Sequence, residues 1–301
     1  MDNTYKSGFV SVIGRPNVGK STLLNQILEQ KIVIATDKAQ TTRKRIKGIY
    51  TTEQGQIVFV DTPGIHKPLN KFGEFLLDEA KISVPDSDLI LFLVDGSEPA
   101  GKGDKWIVEN LLKNTKTKII MVLNKTDKID NNKSEKILNT YEELLPDVEI
   151  LKISAKTGFN KHELISKVYE NLPAGVPFYD EDTVTEETVR DVVQEIVREK
   201  ILLNTKEEIP HCVAVLVQKY TEEENIDRIY ADIYCETKSQ KIILIGKGAS
   251  MLKKIGMEAR KEIEKMVDKK VFLQLNVKVE KDWRKNNNAL KMFGYETDVS
   301  K

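Results

Sequence analysis

Gly8-Phe9-Val10-Ser11-Val12-Ile13 running into Gly14-Arg15-Pro16-Asn17-Val18-Gly19-Lys20-Ser21-Thr22 decides the fold. An apolar run, a loop bracketed by glycines, and a lysine with two hydroxyl residues opening a helical stretch are the strand, loop and helix that a phosphate-binding loop requires. Backbone N–H groups of such a loop and of the helix N-terminus would cradle a β-phosphate. Lys20 would neutralise charge on the β and γ oxygens, and Ser21 would ligate magnesium. A glycine turn before a helix is the bland alternative, and the flanking strand and helix count against it.

Outward from this point, strands and helices alternate through the first 172 residues. Gln56–Thr62, Leu89–Gly96, Lys118–Asn124 and Val148–Ser154 read as strands, each followed by a helical pattern. The central runs are apolar at successive positions, as in a parallel sheet covered on both faces. The expected fold class is therefore α/β, a doubly wound nucleotide-binding domain over residues 1–172. Pro173-Ala174-Gly175-Val176-Pro177, followed by Asp180-Glu181-Asp182, breaks both periodicities and reads as a linker over 173–184. Beyond it the order is α-β-β-α-α-β, an α+β domain over 185–301 with a C-terminal tail; His211 and Cys212 are expected to begin its first strand.

The ends of the strands carry further signals. Asp61-Thr62-Pro63-Gly64 closes the strand Gln56–Thr62, where ligands of open α/β sheets bind. Alone, an Asp-x-x-Gly is a turn; at this edge Asp61 can hold magnesium through water and the Gly64 N–H can meet a γ-phosphate. Asn124-Lys125-Thr126-Asp127 and Ser154-Ala155-Lys156 emerge on the same edge. The Asp127 carboxylate can accept from guanine N1–H and the 2-amino group, a donor pair that adenine lacks. Lys125 and Lys156 can cover the ring, and the Ala155 N–H can reach the guanine oxygen. GTP is the expected ligand. Between the first helix and the next strand, residues 37–45 are polar and without a core-facing period, a mobile loop whose Thr42, favoured over Thr41, would reach magnesium. Lys20, Thr42, Asp61 and Gly64 are thus the expected catalytic set, and Ser21, Thr42 and Asp61 the metal set. Ile65 stands where Ras-like GTPases place a water-orienting glutamine, so slow hydrolysis is expected.

Basic and acidic residues balance at 47 each in 301 residues, with 40% hydrophobic and 31% charged, which excludes a disordered chain. Their distribution is uneven. Residues 180–236 hold 16 acidic and 6 basic side chains, residues 238–291 15 basic and 6 acidic, so the last third has a positive half suited to nucleic acid or a membrane surface. Cys212 and Cys235 and three scattered histidines fit neither a disulfide framework nor a zinc site. A reducing compartment is expected, and no export or membrane-spanning segment is read.

Gly14–Asn25 (GRPNVGKSTLLN), Lys38–Arg43 (KAQTTR), Asp61–Pro68 (DTPGIHKP), NKTD, SAKTG and the late run Phe272–Arg284 (FLQLNVKVEKDWR) resemble the Era family of bacterial ribosome-assembly GTPases, over nearly the whole chain. The resemblance implies a GTPase domain joined to a KH domain that binds the 3′ end of small-subunit ribosomal RNA on the 30S particle during maturation. It further implies a cytoplasmic protein, expected to be monomeric, with peripheral attachment to the inner membrane. Asn17 resembles GTPases that use potassium beside magnesium to offset phosphate charge. Ile245-Gly246-Lys247-Gly248-Ala249, with Lys253 and Lys254, aligns with the KH loop that clamps RNA backbone, and here Ala249 replaces the second glycine. A membrane-associated regulatory GTPase, whose last domain binds anionic lipid or protein, is the alternative.

Overall fold

The computed structural model describes residues 5–36, 38, 41–129 and 134–295. They form two compact units, Met1–Leu69 with Gly73–Glu186, and Asn70–Phe72 with Glu187–Lys301.

In the first unit the chain runs β1 (Lys6–Ile13), α1 (Lys20–Leu28), β2 (Ile46–Thr52), β3 (Gly55–Asp61), α2 (Lys71–Ser83), β4 (Leu89–Asp95), α3 (Lys102–Ile107), β5 (Lys118–Asn124), α4 (Ser134–Leu144), β6 (Glu149–Lys152) and α5 (Lys161–Asn171). The sheet order is β2-β3-β1-β4-β5-β6. Every residue of β3 and β4 is buried, because apolar side chains leave both faces of these strands. One face packs on Leu23, Leu24 and Ile27 of α1 and Leu164 and Val168 of α5; the other packs on Leu77, Ala80, Ile107, Ile137 and Tyr141. The doubly wound class holds, with one strand unread in the sequence. β2 pairs antiparallel to β3 while the other pairs are parallel. Lys47 and Gly48 interrupt its apolar pattern, so its sequence shows no strand period.

Parallel pairing brings the C-terminal ends of β1, β3, β5 and β6 to one edge. Val12 lies beside Asp61, and Asp95 beside Asn124.

Residues 173–184, read above as a linker, are bound along this unit. The N–H groups of Ser7 and Gly175 donate to the carbonyls of Pro173 and Tyr5 (3.2 and 3.0 Å), and the Ile49 N–H donates to the Val184 carbonyl (2.8 Å). The buried Gln56 side chain accepts from the N–H groups of Phe178 and Tyr179 at 2.7 and 3.0 Å. A segment without periodicity carries no sign of such pairing.

The second unit comprises α6 (Val189–Asn204), α7 (Ile209–Cys212), β7 (Ala214–Glu222), β8 (Ile226–Cys235), α8 (Lys238–Ile245), α9 (Ser250–Val267), β9 (Lys270–Val279) and α10 (Asn287–Met292). β7 and β8 are antiparallel, β8 and β9 parallel. Ile255, Ala259 and Ile263 of α9 bury one stripe against Val193, Ile196 and Ile233; Met266, on the same sequence pattern, is 39% exposed. His211 and Cys212 lie in α7 rather than in a strand, since Pro210 at its first turn favours a helix start. Trp283, fully buried, donates from Nε1 to the Cys212 carbonyl (2.8 Å). Its indole meets Phe293 (5.3 Å between centroids) and Phe72 (5.2 Å), and Phe72 also meets Tyr295 (5.0 Å). Phe72 reaches this cluster from the sequence between β3 and β4.

Candidate nucleotide site and nucleic-acid groove

The loop between β1 and α1 owes its path to two glycines. Gly14 lies so close to Leu93 that a side chain would meet the Leu93 carbonyl oxygen at 2.3 Å. Gly19 has φ 103°, and a side chain there would strike Asn124 Nδ2 at 2.4 Å. That approach is used: Asn124 donates from Nδ2 to the Val18 carbonyl (2.8 Å) and accepts at Oδ1 from the Ala155 N–H (2.8 Å). One buried carboxamide thereby joins the glycine loop, NKTD and SAK. The Ala155 N–H, expected to reach guanine, is engaged by Asn124 in this structure.

Lys20 Nζ donates to the carbonyls of Gly14 (3.1 Å) and Arg15 (3.0 Å). Burial pushes its pKa down to about 8, an effect that the Asp61 carboxylate partly offsets. Burial raises the pKa of Asp61 in turn, against the opposing pull of Lys20, Ser21 and Thr42. Ser21 and Thr42 both donate to Asp61 Oδ2, at 2.8 and 3.2 Å, and their hydroxyl oxygens lie 2.8 Å apart. Thr41 instead donates to the Lys38 carbonyl (2.6 Å). Asp37, Ala39 and Gln40 of the same loop lie outside the described residues.

Asp61 Oδ1 is buried without a hydrogen-bond partner among the described residues. An orphaned carboxylate oxygen beside two hydroxyls is an all-oxygen donor set of the kind a hard divalent cation takes, so Ser21, Thr42 and Asp61 fit magnesium. Thr62, buried, donates to the Val12 carbonyl (2.8 Å). Gly64 packs against Pro16, where a side chain would meet Pro16 Cα at 2.7 Å, and the Ile65 N–H donates to the Gly14 carbonyl (3.2 Å). Pro16, Asn17, Gly19, Lys20, Ser21, Thr22, Thr42, Gly64 and Lys125 line one cleft of about 420 Å³. Arg15 and Val18 turn away from it.

At the far end, Ser154 donates to Asp127 Oδ1 (2.6 Å), and Thr126 is tied through its hydroxyl to the Ile153 carbonyl (2.9 Å). Lys125 sits at φ 63° with Nζ 2.5 Å from Asp95 Oδ2. Asp95, whose pKa that ion pair and Ser97 hold down against burial, was not singled out in the sequence. Lys156 is exposed.

In the second unit, α8 ends at Gly246 (φ 72°) and α9 begins after Ala249. A groove of about 430 Å³ runs between α9 and β9, lined by Ala249, Leu252, Lys253, Met257, Arg260, Phe272 and Gln274 among others. Lys247, Lys253 and Lys254 are exposed on the loop and the first turns of α9. The α9 wall, with Lys253 and Arg260 on one helix, is legible in the sequence; that Phe272 and Gln274 of β9 form the opposite wall is not.

The first unit has the fold and cleft of a P-loop GTPase, and the second is a KH domain. Residues 9–125 match the 50S ribosome-binding GTPase family and residues 208–284 the KH domain family. The chain is similar to Era crystallised with MgGDPNP and nucleotides 1506–1542 of 16S ribosomal RNA, with 37% identity and a TM-score of 0.94 over 97% of this chain and 100% of that one. It is also similar to an alanine-substituted Era from Aquifex aeolicus bound to GDP and tetrafluoroaluminate, with 37% identity and a TM-score of 0.93 over 97% and 100%. The chain belongs to the Era family of GTPases.

Proposed function

We propose that this protein is a GTP-driven switch that binds the 3′ region of small-subunit ribosomal RNA and assists maturation of the small subunit, acting in the cytoplasm as a monomer. The observation that carries the RNA reading is the α9–β9 groove, in which Lys253 and Arg260 border apolar Leu252, Met257 and Phe272 beside the Gly246–Ala249 loop. Lysines and loop N–H groups suit phosphates, and apolar and aromatic side chains suit splayed bases. The ribosomal RNA fragment held by the 37% identical relative supports the same partner.

In the nucleotide cleft, Gly14–Thr22 would hold the phosphates, with Lys20 as their main countercharge. Ser21, Thr42 and Asp61 would hold magnesium, which supplies charge neutralisation at the β and γ oxygens. Asn17, which lines the cleft, would bring potassium there. Asp127 would select guanine, with Asn124, Lys125, Thr126 and Ser154–Lys156 framing the base.

Replacing Lys247, Lys253 and Lys254 together by glutamate tests the RNA reading. Binding to a 16S 3′ fragment is expected to weaken and its salt dependence to flatten by about one phosphate contact per lysine engaged, with GTP affinity unchanged. A folded variant with wild-type RNA affinity and salt slope rejects it. Flotation with phosphatidylserine vesicles, lost in the variant while RNA binding persists, would favour the lipid alternative.

A further inference from the structure

Arg15 belongs to the phosphate loop but does not line the cleft. Its guanidinium donates from Nε to Asp104 Oδ1 (2.8 Å) and from Nη2 to Glu98 Oε1 (2.7 Å). Asp104 is fully buried, and its second oxygen accepts from the Gly101 N–H (2.9 Å), so the carboxylate is satisfied only with Arg15 in place. Gly103 makes room for this pair: a side chain there would meet Arg15 Cδ at 2.5 Å and Cγ at 3.1 Å. These atoms are the middle of the side chain, and the guanidinium cannot keep both partners while they move aside.

The main chain of Arg15 has a different task. Its carbonyl and that of Gly14 accept from Lys20 Nζ, and Gly14 also accepts from Ile65. Leu93 limits Gly14 from one side; the Arg15 side chain is what fixes the next residue. The segment that receives it also holds the base loop, because Asp95 binds Lys125 and Tyr141 donates to the carbonyls of Asp95 (3.0 Å) and Glu98 (3.2 Å).

We propose that Arg15 and Asp104 are a positioning pair for the nucleotide phosphates, fixing the carbonyls that aim Lys20, with Gly103 as the residue that admits the pair. This rests on Lys20 being the phosphate-binding lysine. A misplacement of about 1 Å can lower a rate by about a hundredfold, so small shifts of Lys20 are readable in kinetics.

The test compares Arg15→Ala, Arg15→Lys, Gly103→Ala and Lys20→Ala in the full chain, by steady-state GTP hydrolysis, fluorescent GTP binding and thermal unfolding. Arg15→Ala should lower kcat by about tenfold or more with KM changed less, and Arg15→Lys should restore part of the loss. Arg15→Ala strands a buried carboxylate and lowers stability; Gly103→Ala displaces the guanidinium but keeps every charge in place, and the better helix propensity of alanine offsets part of the loss. Its kcat should fall with a smaller loss of thermal stability than in Arg15→Ala. A merely structural pair would instead shift melting and leave kcat and KM alone. Wild-type kinetics in folded Gly103→Ala and Arg15→Ala, with GTP binding lost in Lys20→Ala, overturns the pair and leaves the phosphate reading standing. Wild-type GTP binding in Lys20→Ala overturns both.

Discussion

Ala249 sits at φ 61° and ψ 22°, a left-handed conformation that costs an L-residue about 1 kcal/mol or more relative to glycine. Helix propensity would favour alanine within the first turn of α9, but Ala249 lies one residue before that turn, where propensity does not apply. Ala249→Gly should therefore raise the stability of the KH unit by about 1 kcal/mol, read by urea unfolding, and should strengthen RNA binding as the methyl leaves the groove wall. Lys20 supports a second residue-scale expectation. Its pKa near 8 in the ligand-free cleft means that the charged form binding phosphate is complete only below that value. Above it, binding must take up a proton, so GTP affinity should fall by up to about tenfold per pH unit from pH 8 upward. Titrations between pH 7 and 9.5, with GMP controlling for the base, read this; a GTP affinity tracking that of GMP would refute it.

At the scale of elements, what could be read in the sequence follows from how local each signal is. β3, β4 and β5 declare themselves by unbroken apolar runs, and the phosphate, magnesium and base motifs are each contained in one loop at a strand end. β2 was missed because Lys47 and Gly48 break its run. Asp104 and Glu98 were missed as partners of Arg15 because they lie 89 and 83 residues away, and no spacing rule relates a loop residue to a carboxylate at that distance. The Gly101-Lys102-Gly103-Asp104 turn is the one sequence hint. Element packing also bears on turnover: Ile65 is 2% exposed and packs in the core with Ile13 and Leu77, so the residue after Gly64 anchors the loop and offers no group to a water. Unassisted hydrolysis in sodium should stay below about 10⁻² per second and rise when potassium replaces sodium, with Asn17→Ala removing the difference. Phosphate release at tens per second in sodium would contradict it.

On the scale of the whole molecule, the KH unit depends on a residue encoded among the GTPase motifs. Phe72 is 1% exposed against Trp283 and Tyr295, and truncating a buried phenylalanine costs about 3–5 kcal/mol. Phe72→Ala should lower the unfolding midpoint of the second unit and shift Trp283 emission to longer wavelength, observed in a Trp106→Phe background where Trp283 is the remaining tryptophan. Unchanged emission would show that Phe72 does not shield the indole.

The grouping of Asn70–Phe72 with Glu187–Lys301 also bears on heredity. Recombination moves contiguous stretches of DNA, and a crossover near codon 187 would deliver an RNA-binding module stripped of one of the rings that pack on its tryptophan, to a recipient that need not supply one. The two halves of this gene are thus poor cassettes for shuffling, and a graft of the second half would have to carry an aromatic residue at position 72 with it.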